Sequence, residues 1–98
     1  MIVRVFRAVV HAERRAEFET FFRTKAIPLM QAQEGLVSLT AGLPRPETPN
    51  EFCMVMVWRD VAALAAFAGE DWRQPHVDPS EEGVVKERHL HHYELAAP

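Results

Sequence analysis

Glu51-Phe52-Cys53-Met54-Val55-Met56-Val57-Trp58-Arg59-Asp60 is the stretch on which the reading of the fold turns. From Glu51 to Trp58 the side chains are large, apolar or β-branched, and their period is that of a strand. Phe52, Met54, Met56 and Trp58 share one face; Cys53, Val55 and Val57 share the other. The strand stops at a charged pair, and Asp60 is an N-cap for a helix over Val61–Ala68 that Gly69 closes. Leu64, Phe67 and Ala68 can face inward from that helix.

Upstream, Leu43 to Asn50 contains Pro44, Pro46 and Pro49, which makes it an extended hairpin loop rather than a tight turn. Leu36 to Gly42 before it is another strand. Ala12 to Gln33 reads as a long helix with Phe18, Phe21, Phe22, Lys25 and Leu29 on one stripe, the Lys25 stem lying along the apolar surface. Pro28 lacks an N–H and should kink that helix near its end, and Gly35 is its stop. Ile2 to Val10 is the first strand. Ile2, Arg4, Phe6, Ala8 and Val10 lie on one face and Val3, Val5, Arg7 and Val9 on the other, so the sheet needs cover on both sides.

Downstream, Gly69-Glu70-Asp71-Trp72-Arg73-Gln74-Pro75-His76 leaves the helix. Asp78-Pro79-Ser80-Glu81 carries a capping pattern that predicts a short helix to about Val85. Glu87 to Leu95 is the last strand. On it His89, His91 and Tyr93 share a face, with His92 opposite.

The order β-α-β-β-α-β predicts an α+β, ferredoxin-like domain over residues 1–98: an antiparallel four-stranded sheet with both main helices on one face. Val3, Val5, Val9, Val55 and Val57 then sit on a bare sheet face too apolar to leave in water. Two such sheets packed together would bury it, so a homodimer through the sheet is expected. Arg7 projects into the same space and needs an acidic partner or an anion there.

The 98 residues are 48% hydrophobic and 26% charged with a net charge of −3, a composition for a packed domain and against disorder. The charges are scattered, which argues against a nucleic-acid footprint or a membrane-binding basic patch. Arg4 and Arg7 interrupt the first apolar run, and no run approaches the roughly 20 residues of a membrane span. The single cysteine, Cys53, cannot form an internal disulfide; it reads as a small apolar residue in a reducing, cytoplasmic compartment.

The first strand and long helix ending at Gly35, the Trp58-Arg59-Asp60 junction, and the Ala66-Phe67-Ala68-Gly69 helix end recur in one known family. So do Trp72…Pro75-His76 and the closing His92-Tyr93-Glu94. Taken together the chain resembles the antibiotic biosynthesis monooxygenase-like family of the dimeric α/β-barrel group. The resemblance implies a ferredoxin-like protomer dimerised through its sheet into an α/β barrel. It also implies chemistry drawn from a varied set: oxidation of aromatic polyketide quinols by O₂ without metal or flavin, haem degradation, or action on small signalling molecules. Trp58 matches a substrate-pocket Trp of the polyketide oxidases, while Met54 stands where those enzymes carry an Asn. His76 lies in the segment that supplies the iron ligand of the haem-degrading branch; that branch's first-strand Asn is missing here, and Phe67 stands near its Trp.

Cofactor-free oxygenation needs an electron-rich substrate, an apolar cavity, a base and a donor for the substrate anion. An imidazole, with a pKa of about 6.5, suits the base. His76 is the candidate base, against the plainer reading of an ordinary loop histidine, and Trp58 is the candidate catalytic-pocket aromatic, against simple core packing. Phe6, Met54, Met56, Phe67 and Trp72 are the candidate substrate box, with His91 entering from the last strand. His89 and His91 at i, i+2 could share a metal, but no third ligand is evident, so no metal is expected; that no cofactor is needed is what the resemblance to the cofactor-free oxidases implies. The expected partner is a small hydrophobic or aromatic molecule. The rival readings are a non-catalytic binding or sensing module and a haem-binding protein with His76 as ligand.

Overall fold

Strand pairing decides which residues can meet. The computed structural model describes residues 1–75 and 77–97. Its four strands, β1 (Ile2–Val10), β2 (Leu36–Gly42), β3 (Glu51–Trp58) and β4 (Val85–Glu94), form one antiparallel sheet in the order β2-β3-β1-β4. Arg4 lies opposite Met56 on one side and His92 on the other; Phe6 lies between Met54 and Leu90. Because side chains alternate, these two rows share a face. The rows between them are Val3 with Val57 and Tyr93, Val5 with Val55 and His91, and Arg7 with Cys53 and His89. They point the other way.

Among the described residues, the helices cover the first face only. Ile2, Ala8, Val10, Phe52, Met54, Met56 and Trp58 from the sheet are buried with Phe18, Phe22, Met30, Ala63 and Leu64 from the helices. Phe52 is wedged between Phe18 and Phe22, with ring centroids 4.8 and 5.2 Å away. This is the expected ferredoxin-like architecture, and among the described residues no helix is long and apolar enough to cross a membrane.

The first helical stretch is not the single helix expected over Ala12–Gln33. A 3₁₀ turn (Ala12–Arg14) leads into α1 (Arg15–Phe21), then a π-helical turn (Phe22–Ala26), then α2 (Ile27–Gln31). The Ile27 N–H donates to the Phe22 carbonyl, five residues back. Pro28 explains the wide turn: it cannot donate to the carbonyl of residue 24 and its ring crowds that turn. The extra residue rotates every later position about the helix axis. Lys25 and Leu29, expected on the apolar stripe, are exposed, while Met30 is buried and Ala26 packs against the core.

Gly35 packs the end of the first helical stretch against the second. It has φ +89°, and a Cβ built on it would lie 2.5 Å from the Ala63 Cβ of α3 (Val61–Ala68). Its carbonyl accepts the Arg59 N–H at 2.8 Å, and the Asp60 carboxylate caps α3 by accepting the Ala63 N–H at 2.8 Å.

The helix expected over Asp78–Val85 is one 3₁₀ turn, Pro79–Glu81. Its capping half is present, with the Asp78 N–H donating to the Glu81 carboxylate at 2.8 Å. Gly83, at φ +75°, then turns the chain into β4, which starts at Val85 rather than Glu87. Glu81 is buried and meets Arg88 at 3.3 Å.

Candidate functional site

The wide π turn carries Ala26, Leu29 and Met30 over the row of Phe6 and Met54 and the row of Arg4 and Met56. Phe67 closes the space from α3. Between them lies a cleft of about 70 Å³, lined by Arg4, Phe6, Ala26, Leu29, Met30, Met54, Met56 and Phe67. Seven of the eight are apolar; Arg4 is the exception. The cleft is small for a ligand site, which usually offers roughly a few hundred Å³. Its walls include three methionines and a leucine, side chains that re-pack easily.

Arg4 is 2% exposed, yet no carboxylate pairs with it among the described residues. Its guanidinium is held by neutral groups instead. Nη1 donates to the Trp72 carbonyl at 2.5 Å and lies 3.0 Å from His92 Nε2; Nη2 reaches the Gln74 carbonyl at 3.4 Å. An arginine has only N–H groups to offer, so His92 Nε2 must accept, and the proton of the neutral ring sits on Nδ1. Burial lowers the Arg4 pKa to about 10, which still leaves it charged at neutral pH. Burial also holds His92 below the usual imidazole value, helped by the positive charge of Arg4 and, less, by Arg73 and His91. Trp72 meets His92 edge-on at 5.0 Å and carries the Arg73 guanidinium over its own face at 4.3 Å. The 72–74 segment therefore straps the Arg4–His92 pair to the sheet.

Of the residues singled out from sequence, Phe6, Met54, Met56 and Phe67 converge on this cleft. Trp72 stands beside it through Arg4. Trp58 is fully buried and does not line the cleft: it stacks behind Phe67 at 5.6 Å and 21°. Its indole N–H has no hydrogen-bond partner among the described residues. His91 is on the opposite face of the sheet, beside Val5, and is exposed. The residue of β4 that reaches the helix side is His92, because the period of two leaves neighbours on opposite faces. His76 lies outside the described residues. Among the described residues no group of three metal-ligating side chains comes together.

Arg4 and His92 are the additions the structure makes. One signal for Arg4 is present in the sequence: it alternates with Ile2, Phe6 and Ala8 on the buried face of an apolar strand. The charge expected to need a partner was Arg7. On the other face it pairs with Glu51 at 3.3 Å and keeps 39% of its side chain exposed. Burial raises the Cys53 thiol pKa, the behaviour of an inert packed cysteine.

Relatives share this arrangement of strands and helices. The model of the antibiotic biosynthesis monooxygenase family matches residues 1–77. No curated protein matches significantly. Among solved structures, a Deinococcus radiodurans protein assigned to the antibiotic biosynthesis monooxygenases superposes with TM-score 0.79 at 12% identity, covering 100% of this chain and 95% of that one. A Bacteroides thetaiotaomicron protein of the same assignment gives TM-score 0.72 at 23% identity, over 99% of this chain and 90% of its own. A haem-degrading protein of Mycobacterium tuberculosis, solved with two haems in its active site, gives TM-score 0.69 at 18% identity, over 100% and 98%. At these identities the structures speak to the shared fold.

Proposed function

The chain belongs to the antibiotic biosynthesis monooxygenase family, and from that membership and its cleft we propose that it is a small-molecule oxygenase, oxidising a planar aromatic or quinol-type substrate with O₂ and no added cofactor. The observation that carries this is the lining: seven apolar side chains around one guanidinium. A ring slides between Phe6, Phe67 and the methionines, and the cation faces whatever charge the ring develops.

The chemistry asks little of the protein beyond that. An activated ring methylene and O₂ become a ring carbonyl and water, the substrate supplying every electron. Deprotonation makes the substrate electron-rich, the apolar walls exclude water, and a cation stabilises the anion. His92 is poorly placed as the base, because Arg4 occupies its Nε2 and its pKa is lowered. The base role is proposed for His76. Trp58 supports the site by backing Phe67. The apolar second face of the sheet, with Val3, Val5, Val9, Val55 and Val57, supports a homodimer closed face to face.

Oxygen uptake with a panel of anthrone-like and naphthoquinol substrates tests the reading. Uptake that falls in His76→Ala is the expected result; binding of every compound without uptake would favour a binding or sensing module. Met54, a thioether at a position where an amide would have held the substrate, is what favours that second reading. Haem finds less support. The cleft holds about 70 Å³ and its lining among the described residues offers thioethers but no imidazole; hemin should give no Soret band at stoichiometric concentration.

A further inference from the structure

We infer that Arg4 is an anion anchor: the cleft selects planar ligands that carry an acidic oxygen, a phenolate, enolate or carboxylate, over neutral molecules of the same shape. The inference rests on the reading of this cleft as the ligand site, and adds the chemical class of what enters it.

Three observations converge on it. First, Arg4 is almost wholly buried and still has no carboxylate partner among the described residues. A buried cation without a counter-charge is costly, and carbonyl dipoles offset only part of that cost. The other arginines found in ion pairs, Arg7, Arg14, Arg23, Arg45, Arg59 and Arg88, all sit nearer the surface and all reach a carboxylate. Second, Arg4 is the one polar side chain on the cleft wall among the described residues. An entering oxyanion would find no competing donor and no repelling acid there. Third, its partners all fix it without neutralising it: two carbonyls and a neutral imidazole hold the guanidinium in one geometry and leave its charge for a ligand. Such preorganised, water-excluded cations interact with anions far more strongly than exposed ones. The protein's net charge is −3, so a preference for anions would have to come from this site and not from the overall field.

The test compares two probes of one shape, para-nitrophenolate at mildly alkaline pH and neutral para-nitroaniline. Each is titrated into the protein, with the backbone amides of Phe6, Ala26, Met54 and Met56 followed by NMR. The phenolate should bind about tenfold tighter or more. Arg4→Met should erase that preference, so that the two probes bind with similar affinity. Arg4→Lys, which keeps the charge but not the fork, should retain part of it. Equal affinity of the two probes for the wild type, or a preference that survives in Arg4→Met, would overturn the anchor and leave the cleft as a ligand site. Failure of both probes to shift the cleft amides would overturn the anchor and the ligand site together. The wild-type comparison stands alone if Arg4→Met does not fold.

Discussion

At the scale of single residues, the informative event is the meeting of Arg4 and His92. Each sits where alternation along its strand places it, and the register of β1 against β4 brings them face to face. The pair makes stability depend on pH in a defined direction. The folded protein holds His92 neutral, with its pKa below the unfolded value of about 6.5, because it is partly buried and faces Arg4, with Arg73 and His91 adding smaller repulsions. The unfolded chain therefore takes up this proton first as the pH falls. The contribution is fully present above the unfolded pKa and is lost as the pH drops through the folded one. Urea midpoints from neutral to mildly acidic pH should fall more steeply for the wild type than for His92→Gln, whose amide oxygen can still accept from Arg4 but does not titrate. Parallel profiles would mean that folding does not hold His92 below its unfolded value. Part of the site is legible in sequence: strand and helix faces alone assign Phe6, Met54, Met56 and Phe67 to the pocket. Arg4 is not, because alternation locates a charge on a face without saying whether carbonyls from a distant loop will hold it. The Trp72 and Gln74 carbonyls that do so belong to backbone, which leaves no trace in side-chain pattern.

At the scale of elements, the strands are the legible part and the helices less so. Period two survives any local disturbance that keeps pairing intact, and β1, β2 and β3 have the bounds expected. A helical stripe accumulates error: one π turn, and every later position rotates by a residue. That is why the stripe points Lys25 and Leu29 inward while the structure buries Met30 and half-buries Ala26. The same rotation shapes the cleft, since Ala26 and Met30 line it. Gly35 is recognisable from sequence as a helix end, but its closeness to α3 is a tertiary fact invisible there. Gly35→Ala makes the point measurable. Alanine is strained at φ +89°, and its Cβ would stand 2.5 Å from that of Ala63. The cost should be about 2–4 kcal/mol, read from denaturant midpoints at unchanged m-value. Gly69→Ala at φ +84° meets nothing within 4 Å. With ψ −173° the residue lies in the extended, positive-φ region that glycine alone adopts readily, so the substitution should cost only the backbone part, about 1–3 kcal/mol. A similar loss at both positions would show that helix–loop contact at Gly35 carries no weight.

At the scale of the whole molecule, the two faces of the sheet do different things. One face makes the protomer's core and the cleft. The other presents Val3, Val5, Val9, Val55 and Val57, with Arg7, Cys53 and His91 among them, and no helix among the described residues covers it. A 98-residue chain buries a modest share of its surface by itself, and a valine-rich sheet left bare should find a second copy. This predicts a dimer in sizing at micromolar concentration. It also predicts how to break it. Val55 faces away from the core and sits between Val5 and Thr40 in the pairing. Val55→Lys leaves the helix-side packing alone but places a pair of unpartnered cations in the interface, at a cost of about several kcal/mol. The variant should elute as a monomer with an unchanged far-ultraviolet circular dichroism spectrum. Since the cleft lies on the other face, the Val55→Lys variant should keep the phenolate preference of the wild type. If it loses that preference while remaining folded, the two faces are coupled and the ligand site is completed by the partner. If the wild type itself elutes as a monomer, the bare face is not a dimer interface.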